Sequence, residues 1–359
     1  MTTKLEPLLR SGWPNDWRPA ALPCLREAAQ QARRSPNDLA GFCFTDPAGR
    51  RLQQSQLHRS LQEFLSGHRR ALVELPRDHG KSMQVCIRIL WELGHDPSLR
   101  VKIVCASHAM AVERCRFLRE AIAHNGLLGL VFPELRAAQP WGTTRFTIQR
   151  PANVIGPSVT AVGVGSVSTG SRADLLICDD IVDVKALRSR ADRERVKAFF
   201  HENLMNLLEP EGRFWGLFTP WHQDDLNSDL KKNPAYALFR RAVVTVGQAF
   251  QPDNQAGKPD LQPFSDDAWQ PVWPEKWPAE RLAARRREIG AAAFARAYRL
   301  VCVPDEDVPI QAEWVQFWVE REEWSAERRQ ACSGRETASS YETIVLAIDP
   351  AVSQKSDAD

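Results

Sequence analysis

Residues 71–87 read ALVELPRDHGKSMQVCI, and the reading of that stretch decides the fold. The apolar run Ala71, Leu72 and Val73 leads into a polar turn that closes on Gly80, Lys81 and Ser82; Met83, Val85, Ile87 and Ile89 follow. Strand, glycine-containing turn and helix, in that order, build a phosphate-binding loop. Successive backbone N–H groups and the helix N-terminus surround the anion. A lysine neutralises the β/γ oxygens and a Ser/Thr hydroxyl binds Mg²⁺. Such a loop normally opens with a glycine five residues before the Gly-Lys pair, and here that position is Leu75. The exchange removes a tight-turn residue but none of the groups that meet phosphate. Gly80 lets the backbone approach closely, Lys81 carries the charge and Ser82 is the metal ligand. Lys81 is expected to pack against no part of the core.

Working outward, strands and amphipathic helices alternate from residue 71. The strand candidates are 71–75, 101–106, 174–178 and 214–219; the helix candidates are 81–93, 109–123, 190–208 and 225–232. That alternation predicts an α/β fold, a parallel sheet flanked by helices on both faces. Between the second and third strands, WGTTRFTIQRP (141–151) and SVTAVGVGSVSTGSR (158–172) read as β-rich decoration with a Gly/Ser tail. Residues 1–55 read as an N-terminal helical and polar segment, and residues 56–250 as the phosphate-loop core. Residues 251–318 open with a Pro-rich excursion, QPDNQAGKPDLQPFSDDAWQPVWPEKWP, and form a lid or linker subdomain. Residues 319–342 are a charged linker, and 343–359, with TIVLAIDPA, begin a further domain.

Composition narrows the function classes. In 359 residues, 47 Lys and Arg against 45 Asp and Glu leave a net charge of +2, too weak to establish nucleic-acid binding without local patches. Eight cysteines without a CxxC pair suggest neither a zinc site nor a disulfide framework. The N-terminus lacks a secretory signal, and no apolar run approaches the ~20 residues that span a bilayer. A reducing cytoplasm fits.

Two further stretches complete a site. DLLICDD, residues 174–180, is an apolar strand ending in two carboxylates. Asp179 is placed to hold Mg²⁺ through water, and Asp180 to orient and deprotonate an attacking water. Taken alone, an Asp pair after a strand is a cap or a turn; with the loop it makes one nucleotide site. GLFTPWHQDDL, residues 216–226, ends a strand on Thr219; beside the phosphate loop such a hydroxyl can sense the γ-phosphate, whereas taken alone the stretch is an edge strand with a turn at Pro220.

Together these stretches resemble the large subunit of the tailed-phage terminase, a DNA-packaging motor. PRDHGKS is similar to the family's variant loop, LLICDD to its metal and catalytic acids, and TPWHQDDL to its coupling motif. VWPEKWPAERLAARRREIGAAAFARAY (272–298) is similar to the segment after its ATPase sheet, and VLAIDPA (345–351) to the first strand of its RNase H-like nuclease. The resemblance spans about residues 55 to 355. It implies a P-loop NTPase (ASCE-type) sheet, a small lid, and only the first strand of a nuclease, with Asp349 as one metal ligand of an incomplete site. It implies ATP and Mg²⁺, held by Pro76, Arg77, Asp78, His79, Gly80, Lys81, Ser82 and Thr219, with Ser82 and Asp179 on the metal. Asp180, Arg77 and Lys81 are the expected catalytic residues. It implies hydrolysis coupled to translocation of double-stranded DNA into a procapsid. The implied partners are the portal protein, the small terminase subunit and further copies in a ring, with no membrane. The implied location is the cytoplasm of the infected host, not the mature virion, and no endonuclease activity is expected.

Departures from the pattern stand beside it. Many members of the broader motor class carry Glu where this chain has Asp180, so Asp180 must sit closer to the water, or Glu202 or another acid contributes. Pro220 stands where arginine is common in the coupling motif. Arg281, Arg285, Arg286, Arg287, Arg296 and Arg299 either contact DNA phosphates or form a solvated helix balanced by Glu280 and Glu288. Trp269, Trp273 and Trp277 either stack on bases or pin their loop to the core. Arg188, Arg190, Arg193 and Arg195 are comparable. Arg116, Arg119, Arg136 and Arg145 are candidates for reaching a neighbouring subunit. Two other classes compete: a helicase-type ATPase, and a nonhydrolysing assembly module.

Overall fold

Val101–Cys105 and Ala71–Glu74 have no exposed residue, the mark of strands covered on both faces, whose sequences are near-continuous apolar runs. The structure, a computed structural model, describes residues 22–166, 172–245 and 269–302, all within the unit Met1–Asp305. The charged linker at 319–342 and the strand at 343–359 with Asp349 lie outside the described residues.

The chain runs α1 (Leu22–Arg34), α2 (Pro36–Cys43), α3 (Gln56–Gly67), β1 (Arg70–Glu74), α4 (Lys81–His95), β2 (Val101–Cys105), α5 (His108–His124) and α6 (Gly126–Val131). It continues through β3 (Ala137–Trp141), β4 (Arg145–Ile148), β5 (Val159–Gly163), β6 (Ala173–Asp179), α7 (Lys185–Arg188) and α8 (Arg190–Ala198). A π-helical turn, Phe199–Leu204, and α9 (Met205–Leu207) lead into β7 (Leu208–Phe218), α10 (Leu226–Lys232) and β8 (Ala237–Arg240). A small ribbon, β9 (Val244–Thr245) with β10 (Trp269–Gln270), precedes α11 (Ala279–Ile289), α12 (Ala291–Phe294) and a second π-helical turn, Ala295–Arg299.

Eight strands form one sheet in the order β3-β4-β5-β2-β6-β7-β1-β8. The six from β5 to β8 are parallel, and β3 and β4 join antiparallel at one edge. β6 and β7 lie between β2 and the loop-bearing β1, in keeping with the P-loop sheet expected from the sequence. Strand periodicity divides the side chains between two cores. Ala71, Val73, Leu175, Ile177, Trp215 and Leu217 pack with the first six helices, whereas Leu72, Leu176, Cys178, Phe214 and Phe218 pack with α8, the π turn and α10. Position 216 falls on that second face by alternation, and a Cβ there would come within 2.4 Å of the Phe218 ring, which favours glycine.

Two sequence expectations change, and one strand had no counterpart among them. The stretch taken as decoration supplies β5, a full parallel strand beside β2, because Val159, Ala161 and Val162 are buried in the sheet. Edge strand β8 is four residues long, too short to stand out in the sequence. Helix 190–208 does not run unbroken: it passes into the π turn, and Leu208 already begins β7. The first two helices join the main core, with Ala32, Leu39 and Ala40 fully buried. No helix among the described residues is long and apolar enough to cross a membrane.

Candidate functional site

Three neighbouring parallel strands, β6, β7 and β1, end at one place, the crevice beyond the carboxyl ends where open α/β sheets hold ligands. β1 delivers the loop Pro76–Ser82. Gly80 takes a left-handed conformation, φ 79°, as the N-cap of α4, a shape that costs glycine little. α4 starts at Lys81, so its first free N–H groups face the loop.

Lys81 corrects the expectation that it would stand clear of the core. It is 7% exposed, and its Nζ donates to Thr219 Oγ1 at 3.0 Å and to the Phe218 carbonyl at 3.3 Å, with Asp180 Oδ1 at 3.5 Å. The chain end of β7 forms a polar pocket around the ammonium. Thr219 Oγ1 also donates to Asp180 Oδ1 at 3.2 Å. Loop lysine, β7 hydroxyl and β6 carboxylate therefore form one hydrogen-bonded triangle.

Asp179 lies deeper, 2% exposed. Its Oδ1 accepts from Ser82 Oγ at 2.9 Å and its Oδ2 from Arg114 Nε at 2.9 Å. Burial pushes its carboxyl above the usual range, as does the adjacent Asp180, while Arg114 and Lys81 pull it down. Asp180 takes a positive φ of 49°, rare for a residue with a side chain; its N–H donates to the Leu217 carbonyl at 2.9 Å. Of the two acids weighed for the catalytic role, Asp180 touches Lys81 and Thr219, whereas Glu202 is exposed on the π turn.

Ser82, Asp179 and Asp180 are hard oxygen donors, the class Mg²⁺ prefers. Among the described residues no three acidic, His or Cys side chains gather into a cage. Mg²⁺ is ordinarily held by one or two carboxylates together with substrate phosphates, so the donor set fits that ion in company with a nucleotide.

The rest of the loop faces β10 and the helical pair α11–α12. Arg77 is exposed, with its guanidinium 5.4 Å from the Trp221 ring centroid, and its N–H donates to the Ala297 carbonyl. Asp78, at φ 60°, pairs with Lys276 at 2.8 Å, and its carbonyl accepts from Lys276 Nζ at 2.9 Å. His79 is fully buried and stacks on Trp277 with 5° between the ring planes. Its Nδ1 donates to the Arg77 carbonyl, and its Nε2 has no hydrogen-bond partner. Burial lowers its pKa to about 4. Burial also lowers that of His58, which touches the His79 carbonyl through Nε2.

Between the loop and α11–α12 opens a cleft of about 830 Å³, lined among others by Arg77, Thr219, Trp221, Arg285 and Tyr298. Of the tryptophans weighed for base stacking, Trp269 and Trp277 are 3% and 8% exposed, and Trp273 meets His58 edge-on. Trp269 and Trp277 sit in a small cluster of their own with Leu282, Phe294 and Tyr298, and Trp273 packs against both that cluster and the main core. Arg285 pairs with Glu288 at 2.7 Å, and Arg281 bonds the Lys276 carbonyl.

Sequence reasoning missed Arg114, Trp221 and Lys276. Trp221 and Lys276 lie within quoted stretches, TPWHQDDL and VWPEKWP, but were given no role there; Arg114 is one of several arginines on α5, and it meets Asp179 only because β2 and β6 are adjacent. Glu74 was missed too. It is fully buried two residues before the loop and accepts from Asn227 at 2.5 Å and Lys231 at 2.8 Å, tying β1 to α10.

No family model matches the chain. It is 27% identical over 243 residues to a large terminase subunit of Enterobacteria phage T3, which covers 65% of this chain and 41% of that protein. The chain thus spans less than half the length of that relative. Similar solved structures include a mutant large terminase ATPase domain of Thermus phage P74-26, at 16% identity and a TM-score of 0.48 over 70% of this chain and 95% of that one. The large terminase of bacteriophage HK97 matches at 14% identity and a TM-score of 0.47, over 75% and 54%.

Proposed function

We propose, from a chain similar in sequence to a phage large terminase subunit and from the site just described, that this protein hydrolyses ATP to drive double-stranded DNA into a procapsid. The observation that carries the reading is the convergence of Lys81, Thr219 and Asp180 above Ser82 and Asp179. Backbone N–H groups of Asp78, Gly80, Lys81 and Ser82 cradle the β- and γ-phosphates, those of Arg77 and His79 being held by the Ala297 and Pro76 carbonyls. Lys81 exchanges its bonds to Thr219 and Phe218 for phosphate oxygens. Asp180, released from Lys81, accepts the proton of the attacking water. Thr219, left on Asp180, reports whether a γ-phosphate is present. Arg77 leaves the face of Trp221 and places its charge where the transferred group becomes most negative. Ser82 and Asp179 would hold Mg²⁺, which would supply neutralisation of the phosphate charge. The mechanical partners are further copies of the chain in a ring, the portal protein and the small terminase subunit, in the cytoplasm of an infected host.

Phosphate release from the purified chain, with and without DNA, tests the catalytic part. No release under either condition would leave a nonhydrolysing assembly module as the better reading. Release that DNA stimulates but that portal and procapsid leave unchanged would favour a helicase-type ATPase.

A further inference from the structure

Arg114 has no place in the scheme above, yet it makes the closest charged contact to its most deeply buried acid. It projects from the second turn of α5, and its Nε meets Asp179 Oδ2 at 2.9 Å. The Asp179 side chain is 4% exposed and that of Arg114 is 26% exposed, so the pair is enclosed at the carboxylate and open at the guanidinium. Glu113 approaches the outer side of Arg114 at 3.6 Å. The two oxygens of Asp179 are thereby divided. Arg114 takes one, and the other is turned onto Ser82 Oγ at 2.9 Å, toward the loop.

We infer that Arg114 is a positioning residue for the metal, fixing Asp179 from behind so that Oδ1 and the Ser82 hydroxyl face one point. This rests on the nucleotide reading above. The physical argument has two parts. A buried carboxylate that loses its counter-charge is left uncompensated, and a carboxylate free to rotate presents its oxygens to the metal only part of the time. Partners of ligating side chains characteristically change metal affinity by about 10–100-fold when removed. The opposing effect is repulsion between guanidinium and Mg²⁺. It is the weaker one here because Arg114 stands on the far oxygen and its outer side faces Glu113 and solvent.

The test is nucleotide binding rather than turnover. A fluorescent ATP analogue is titrated into the 359-residue chain as wild type, Arg114→Ala and Arg114→Lys, in EDTA and across a Mg²⁺ series. Affinity in EDTA should stay within about threefold for all three, which also shows that the loop is folded. Half-saturating Mg²⁺ should rise about 10–100-fold in Arg114→Ala, and Arg114→Lys, which keeps the charge, should recover most of that loss. An unchanged or lower Mg²⁺ requirement in Arg114→Ala would overturn the inference, as would loss of EDTA binding in Arg114→Ala and Arg114→Lys alike, which marks a purely structural role. Wild-type binding that ignores Mg²⁺ would instead overturn the metal site itself, and this role with it.

Discussion

At the scale of single residues, the site stores its charges against one another. Lys81, Thr219 and Asp180 satisfy each other in a buried pocket, so a substitution acts on stability as well as chemistry. Lys81→Ala should abolish ATP turnover. It should also lower stability by about 1–3 kcal/mol, the cost of leaving buried acceptors without a donor, here the Phe218 carbonyl above all; a thermal melt beside the phosphate-release assay measures both. Asp180→Asn should keep nucleotide binding and lose at least ~100-fold in turnover, the scale of a missing general base; full activity there with an inactive Glu202→Gln would move the role to Glu202. These residues were legible because each belongs to a short run of fixed chemistry beside an apolar strand. Arg114 was not: nothing within α5 marks one arginine above its neighbours, and only the crossover that lays β2 beside β6 selects it.

At the scale of elements, the seam between the phosphate loop and the α11 segment makes stability depend on pH. His79 is held neutral by burial, its pKa lowered from 6.5 to about 4. The folded chain therefore refuses a proton that the unfolded chain accepts. This contribution is fully present above pH 6.5 and is lost as pH falls from there toward 4. Its ceiling is ~3 kcal/mol, and His58 acts in the same direction. Melting temperature should fall across that window, and His79→Phe, which keeps an aromatic ring against Trp277, should flatten the decline. A decline of equal steepness in His79→Phe would place the titration elsewhere. The elements themselves were readable where apolar runs were long and closed by turn residues. β5 and β8 were not: a strand bounded by Gly and Ser reads as a loop, and four residues at an edge carry too little pattern.

At the scale of the whole molecule, the boundary near residue 55 marks a change of sequence character without a change of core. Leu39, Ala40 and Ala32 are buried in the same cluster as β1 and α4. Removing residues 1–44 should therefore expose that cluster and give an aggregating or low-melting chain rather than a trimmed active one; size-exclusion chromatography and a melt decide it. The parallel sheet was legible from alternation alone, since strands joined by helices leave few other arrangements. Its order was not, because the placement of β6 and β7 between β2 and β1 depends on pairings far apart in sequence.

The stacking of His79 on Trp277 has an optical consequence. An indole 5.9 Å from an imidazole, with a second indole 6.2 Å from the same ring, makes the emission of Trp273 and Trp277 sensitive to where the phosphate loop lies. The segment facing the loop thus carries a fluorophore for it, without a label. The chain has twelve tryptophans, so the loop's contribution is the part of the spectrum that Trp277→Phe removes.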